Sequence, residues 1–209
     1  MPSVSRSNTI EISFVNEPGG QGVYLLGVKV ATPITVTFGR FQGGRPIPIP
    51  AGDYLYVGSA LGRQGATTLA GRLLRHTTRS GDLPPHTIQT LLQRQLHAHN
   101  LLTSSTGVAR PKRLFWHIDY LVDRLEAEIS HIIILATTQR LESTIAHILA
   151  VDPVIKAVAP GLGASDDPHA THLFRVDAPA KWWHNLPERL TNLLTTVTNI
   201  PQVRGTGQA

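Results

Sequence analysis

Ile129-Ser130-His131-Ile132-Ile133-Ile134-Leu135 is the stretch on which the fold turns. A short apolar run this rich in isoleucine reads as a strand covered on both faces rather than a helix with one wet side. Beyond it the period changes. Leu141, Ile145, Ile148 and Leu149 keep helical spacing, in a helix predicted to be capped by Thr138 and broken by Pro160-Gly161-Leu162-Gly163. His172 to Val176 is expected as a further strand, and Pro187 to Val197 as a last helix.

Toward the N-terminus, strands dominate. Glu11 to Val15 alternates, Gly22 to Val30 is richer, Ile34 to Phe38 follows a proline break, and Tyr54 to Val57 is a short β-rich run ended by Gly58. From Thr67 the spacing of Leu69, Leu73 and Leu74 predicts an amphipathic helix ending near Arg79-Ser80-Gly81. His86 to Asn100 fits a helix, and Phe115 to Val122 fits either a helix or a strand. Strands first, then helices alternating with single strands, give an α/β (α+β) class. One domain is expected over 9–200, with a core of about 22–177, an insertion at 80–111, and loose tails at 1–8 and 201–209.

Composition narrows the chemistry. The 209 residues are 41% hydrophobic and 16% charged, enough to bury a core. No apolar run is long enough to span a bilayer and no apolar segment follows the first charges, so a cytoplasmic protein with no membrane association is expected. Cysteine is absent, which excludes disulfides, thiolate metal sites and a cysteine nucleophile. The 19 Lys+Arg against 14 Asp+Glu give a net charge of +5, a sign that suits polyanions.

A few residues stand out. Tyr24 and Tyr56 lie on early strands beside glycines, where a phenol either packs into the core or presents its hydroxyl to a closely approaching ligand. Arg72 and His76 share a helix face at i, i+4, as a solvated basic face or as two donors converging on one anion. Glu142 is expected one turn into its helix, where a carboxylate is favoured by the dipole and could also hold a hard cation. His117 and Asp119, between Trp116 and Tyr120, read equally as outer support for a metal or water and as a satisfied polar pair.

In order along the chain, these pieces resemble the GIY-YIG nuclease superfamily. Gly22-Val23-Tyr24, Tyr56-Val57-Gly58, Arg72 with His76 four later, and Glu142 on a helix after an apolar strand reproduce its pattern. Pro50-Ala51-Gly52-Asp53-Tyr54-Leu55-Tyr56-Val57-Gly58-Ser59-Ala60 is similar to the Uri-type branch. So are Leu69-Ala70-Gly71-Arg72-Leu73-Leu74-Arg75-His76, Trp116-His117-Ile118-Asp119-Tyr120-Leu121 and Gly161-Leu162-Gly163-Ala164-Ser165-Asp166. The likeness runs from about Gly22 to Phe174. Single blocks of three residues recur by chance, but five in order are specific.

The resemblance implies a small mixed, mainly antiparallel sheet flanked by helices, with a C-terminal strand and helix added. It also implies an endonuclease that hydrolyses phosphodiesters in DNA, with RNA as the other substrate open to it. Tyr24 or Tyr56 would receive the proton of the attacking water, Arg72 would stabilise developing charge, and His76 would orient water or phosphate. Glu142 would hold one divalent cation, Mg²⁺ or Mn²⁺. For a tyrosine to act as base near neutrality, adjacent cations would have to lower its pKa. Arg63 and Arg75 are expected to contact nucleic acid, and a partner protein for targeting fits so small a nuclease.

Three departures from the family pattern stand. Tyr56 lies 32 positions after Tyr24, a long connection that suits the Uri-type branch. Ser59 and Ala60 replace the lysine often found after the second motif. Asp167 and His169 occupy positions where related chains often carry cysteines. The alternative from another class is an inactive nucleic-acid-binding module that kept the fold.

Overall fold

The computed structural model describes residues 10–102, 112–163 and 170–198. The chain divides into two compact units, Met1–Asp177 and Ala178–Ala209. The fold of the first is mixed α+β, as the order of strands and helices predicts.

Its sheet has six strands in the order β1-β6-β2-β5-β8-β7. These are β1 (Glu11–Phe14), β2 (Gly22–Val30), β5 (Gly52–Ala60), β6 (Ala127–Ala136), β7 (Ile155–Ala157) and β8 (Leu173–Val176). Only the β1–β6 pair is parallel. The Ile129–Leu135 run lies within β6, between β1 and β2, and its Ile129, Ile132, Ile133, Ile134 and Leu135 are all buried. A separate hairpin pairs β3 (Ile34–Val36) with β4 (Ile47–Ile49). Neither β4 nor β7 is visible in the sequence, because β4 is three residues centred on Pro48 and β7 three residues of which only Ile155 is buried.

The long β2–β5 pair places the tyrosines. Tyr24 stands opposite Gly58 and Leu26 opposite Tyr56, so alternation puts both phenols on one face, on a diagonal. That face is covered by α1 (Leu69–Thr77), α2 (Gln89–Ala98) and α3 (His117–Val122), whose Leu69, Leu73, Leu92, Leu96, Ile118 and Leu121 share a core with Tyr24, Leu26, Tyr54 and Tyr56. α4 (Glu142–Ala150) packs against β5 and β7, and its buried Ile145 and Leu149 lie outside that core.

Several expectations are corrected. Gly58 does not end its strand: β5 runs on to Ala60, since a glycine opposite a large phenol is what that pairing requires. Thr138 does not cap α4; Leu141 occupies the N-cap position with no side-chain bond, and Glu142 opens the helix rather than sitting one turn in. In the second unit α5 spans Ala180–Thr198 and takes Pro187 into its interior, so the helix starts seven residues before the proline. Within the described part of the 80–111 segment, Ile88, Leu92 and Leu96 are fully buried. Residues 103–111 lie outside the described residues, as do Asp167 and His169 and both expected tails.

Candidate functional site

α1 begins where Thr68 Oγ1 accepts a hydrogen bond from the Gly71 amide, which satisfies one of the free donors of the first turn. From that start, i and i+4 positions bring Arg72 and His76 to the same side, facing the tyrosines. His76 is fully buried. Its Nε2 lies 2.8 Å from the Tyr24 hydroxyl, and its Nδ1 lies 3.1 Å from Asp119 Oδ1.

Asp119 decides the direction of those bonds. It sits at the third position of α3, and its Oδ2 accepts from the Phe115 and Trp116 amides at 3.0 and 3.1 Å and from Arg75 Nη2 at 3.1 Å. Burial alone would raise its pKa, but the hydrogen bond from His76, with these other donors and the nearby Lys112 charge, holds it well below the usual carboxylate range. An ionised Asp119 only accepts. His76 therefore donates from Nδ1, and its Nε2 lone pair accepts the proton of Tyr24. Of the two open readings of this segment, Asp119 supports the site through His76. His117 does not: its Nδ1 accepts from the Gly163 amide at 3.1 Å and its ring packs on Phe41.

The phenols are not acidified, contrary to expectation. Burial raises both Tyr24 and Tyr56 well above the ordinary value of 10.0; the nearby Arg72 guanidinium opposes this, and the charge of Glu142 adds to it. Desolvation wins because Tyr24 has no exposed surface and Tyr56 only 4%. Burial likewise lowers His76 from 6.5 and keeps it neutral at pH 7, with Asp119 opposing the shift.

Arg72 lies flat on Trp116, its guanidinium carbon 3.6 Å from the ring centroid. Its Nε is buried with no hydrogen-bond partner. Arg75 approaches the same ring at 4.9 Å and also donates to the Arg113 carbonyl, so much of its donor capacity is spent inside the protein rather than facing nucleic acid. Arg63 is exposed on the loop after β5.

Glu142 enters from elsewhere. Its Oε2 accepts from Ser59, a residue that alternates with Gly58 and so faces away from the tyrosines. Its Oε1 lies 2.9 Å from His172 Nδ1. Tyr24, Tyr56, Arg72 and His76 are thus brought together directly, whereas Glu142 bonds Ser59 on the other side of β5 and is felt at the tyrosines through its charge. Ser59, His172 and Trp116 were not singled out from sequence. The one signal for Ser59 was its place in the lysine position; His172 carried none.

Residues 23–194 match the family model described as Domain of unknown function DUF123. The chain belongs to the DUF123 family. No curated protein and no solved structure matches it. The DUF123 match starts one residue before Tyr24 and takes in Tyr56, Ser59, Arg72, His76, Asp119, Glu142 and His172. Every side chain of the site therefore lies within the DUF123 region.

Proposed function

We propose that this DUF123 protein is a divalent-metal-dependent endonuclease that hydrolyses phosphodiesters in DNA. The observation that carries the reading is the Tyr24–His76–Asp119 chain, with Arg72 beside it. A hydroxyl bonded to a neutral imidazole that is backed by an ionised carboxylate is a proton relay. Tyr24 accepts a proton from the attacking water while its own passes to His76 Nε2, and Asp119 stabilises the imidazolium formed. This route needs no free phenolate, so the high pKa of Tyr24 is no obstacle. It also selects Tyr24 over Tyr56 as the phenol that hands its proton on, since it is the Tyr24 hydroxyl that bonds His76. Arg72, held flat by Trp116, offers its guanidinium to the charge that develops on the phosphoryl group.

Glu142 suits a hard cation. Its carboxylate keeps 21% of its side-chain surface open, and among the described residues no group of three or more His, Asp or Glu forms a closed cage, so most ligands would be water. Bound there, Mg²⁺ or Mn²⁺ would polarise the phosphoryl oxygen and ease departure of the leaving oxygen. Among the described residues no helix is long and apolar enough to cross a membrane; a cytoplasmic site of action and a targeting partner protein remain part of the proposal.

The test is cleavage of a panel of single-stranded, duplex, branched and flapped DNA, plus RNA, with Mg²⁺ or Mn²⁺ and with chelator. Metal-dependent nicking of DNA supports the reading. DNA binding that weakens steeply with salt but never leads to cleavage would instead identify an inactive nucleic-acid-binding module.

A further inference from the structure

His172 presents an unusual combination. It is fully buried, yet neither Nδ1 nor Nε2 has a hydrogen-bond partner. Buried polar side chains are nearly always paired, so an orphaned imidazole beside a carboxylate calls for a ligand. The ring is not free to seek one elsewhere. Its backbone amide donates to the Leu162 carbonyl at 2.9 Å and its carbonyl accepts from the Val57 amide at 2.9 Å. Gly163, at φ +97°, closes over it so tightly that a Cβ there would come 2.9 Å from the His172 Cβ.

The relation to Glu142 is specific. Nδ1 stands 2.9 Å from Oε1, but the pair lacks the alignment of a hydrogen bond. Two adjacent ligands of an octahedral ion with bonds of about 2.1 Å lie about 3.0 Å apart, each lone pair aimed at the metal rather than at its neighbour. The other carboxylate oxygen is already held by Ser59, which fixes the orientation of Glu142 as outer partners of metal ligands do.

We propose that His172 is a second protein ligand, beside Glu142, for the divalent cation, and that this nitrogen shifts the site's preference from Mg²⁺ toward Mn²⁺. The inference rests on the metal assignment of Glu142 made above. Imidazole suits transition ions, whereas Mg²⁺ favours oxygen ligands alone. A Glu–His pair therefore discriminates between ions that a lone carboxylate would treat more alike.

The experiment is Mn²⁺ titration of the full chain in the absence of nucleic acid, followed by pulsed electron paramagnetic resonance of the bound ion, and a parallel Mg²⁺ titration. The parent should show ¹⁴N coupling from a directly bound imidazole. His172→Gln and His172→Phe, each checked for native circular dichroism, should lose that coupling and bind Mn²⁺ at least ~10-fold more weakly, with a smaller change for Mg²⁺. Bound Mn²⁺ without ¹⁴N coupling, coupling that persists in the His172 variants, or no Mn²⁺ binding would each overturn the proposal. A parent that binds Mn²⁺ through nitrogen yet cuts no nucleic acid would leave this ligand assignment standing and remove the nuclease reading.

Discussion

Gly58 stands directly opposite Tyr24 across β2 and β5, and a Cβ at that position would lie 2.6 Å from the Tyr24 hydroxyl and ring carbon and 2.7 Å from Tyr56 Cε1. Neither phenol can retreat, since both are buried. Gly58→Ala should therefore cost roughly 1–3 kcal/mol of stability through overpacking. Denaturant midpoints measure the cost, and cleavage should fall further than the fraction unfolded explains, because Tyr24 is pushed off His76.

Asp119 gives His76 its tautomer, so Asp119→Asn should lower the cleavage rate by roughly 10²–10⁴ while leaving DNA affinity in chelator within a few-fold. A near-parental rate for Asp119→Asn would remove the relay. Residual cleavage should be insensitive to a further His76→Gln change, since the two act as one unit.

The acid limb of the pH–rate profile should lie below pH 6.5. The relay needs His76 neutral, and burial lowers its pKa from 6.5, so protonation blocks Nε2 only at more acidic pH. A limb above pH 7 would contradict the assignment.

Glu142 and Arg72 should separate chemistry from binding. Glu142→Gln removes a carboxylate and one charge of the same sign as DNA, so cleavage should vanish while affinity in chelator stays equal or tightens slightly. Arg72→Ala should cut the rate ~10³-fold or more, as for other arginines that stabilise phosphoryl-transfer charge. Its affinity should drop only by about one phosphate contact. Nicking rates with metal and titrations without it, on one DNA, check both.

A second buried network should set acid stability. Arg79 Nη2 bonds Glu128 at 2.8 Å and the Ala127 carbonyl at 2.6 Å, while His86 Nε2 donates to the Val122 carbonyl at 2.8 Å. Burial of Glu128 is outweighed by hydrogen bonds from Arg79 and the Thr87 amide, with His86 close by, which bring its pKa down from 4.5 to about 2. Its contribution is complete above pH 4.5 and is lost as pH falls toward 2. His86, lowered from 6.5 by burial, favours the unfolded chain once pH drops below that value. Both effects make stability rise with pH across the acid range. Arg79→Met should destabilise by roughly 3 kcal/mol and flatten this dependence, read from unfolding midpoints at several pH values.

Local patterns in the sequence put Tyr24 and Tyr56 on strands and Arg72 and His76 on one helix face, because alternation and i, i+4 spacing are short-range rules; the ordered resemblance, not those patterns, grouped them as one site. They did not say that Arg72 and His76 would both turn to Tyr24, nor that Asp119 and not His117 would face them. Those outcomes depend on how α3 docks on α1, which no spacing within His117–Val122 encodes. The burial that outweighs nearby cations at the tyrosines was not legible for the same reason, because three covering helices create it. His172, just before β8, and Ser59, on β5, meet Glu142 from places far apart in the chain, so no local spacing joined them to it.

The hold of Asp119 on His76 also has a thermal consequence. The carboxylate that sets the tautomer of the imidazole sits on α3, a helix of six residues that has little stability of its own. The nine-residue strands β2 and β5 are tied into the sheet along their full length. Fluctuations that release α3 demand far less free energy than opening that pair. Warming will silence the protein reversibly while its sheet is still intact, and amide exchange at Phe115 and Trp116 will quicken before exchange at Tyr24 does.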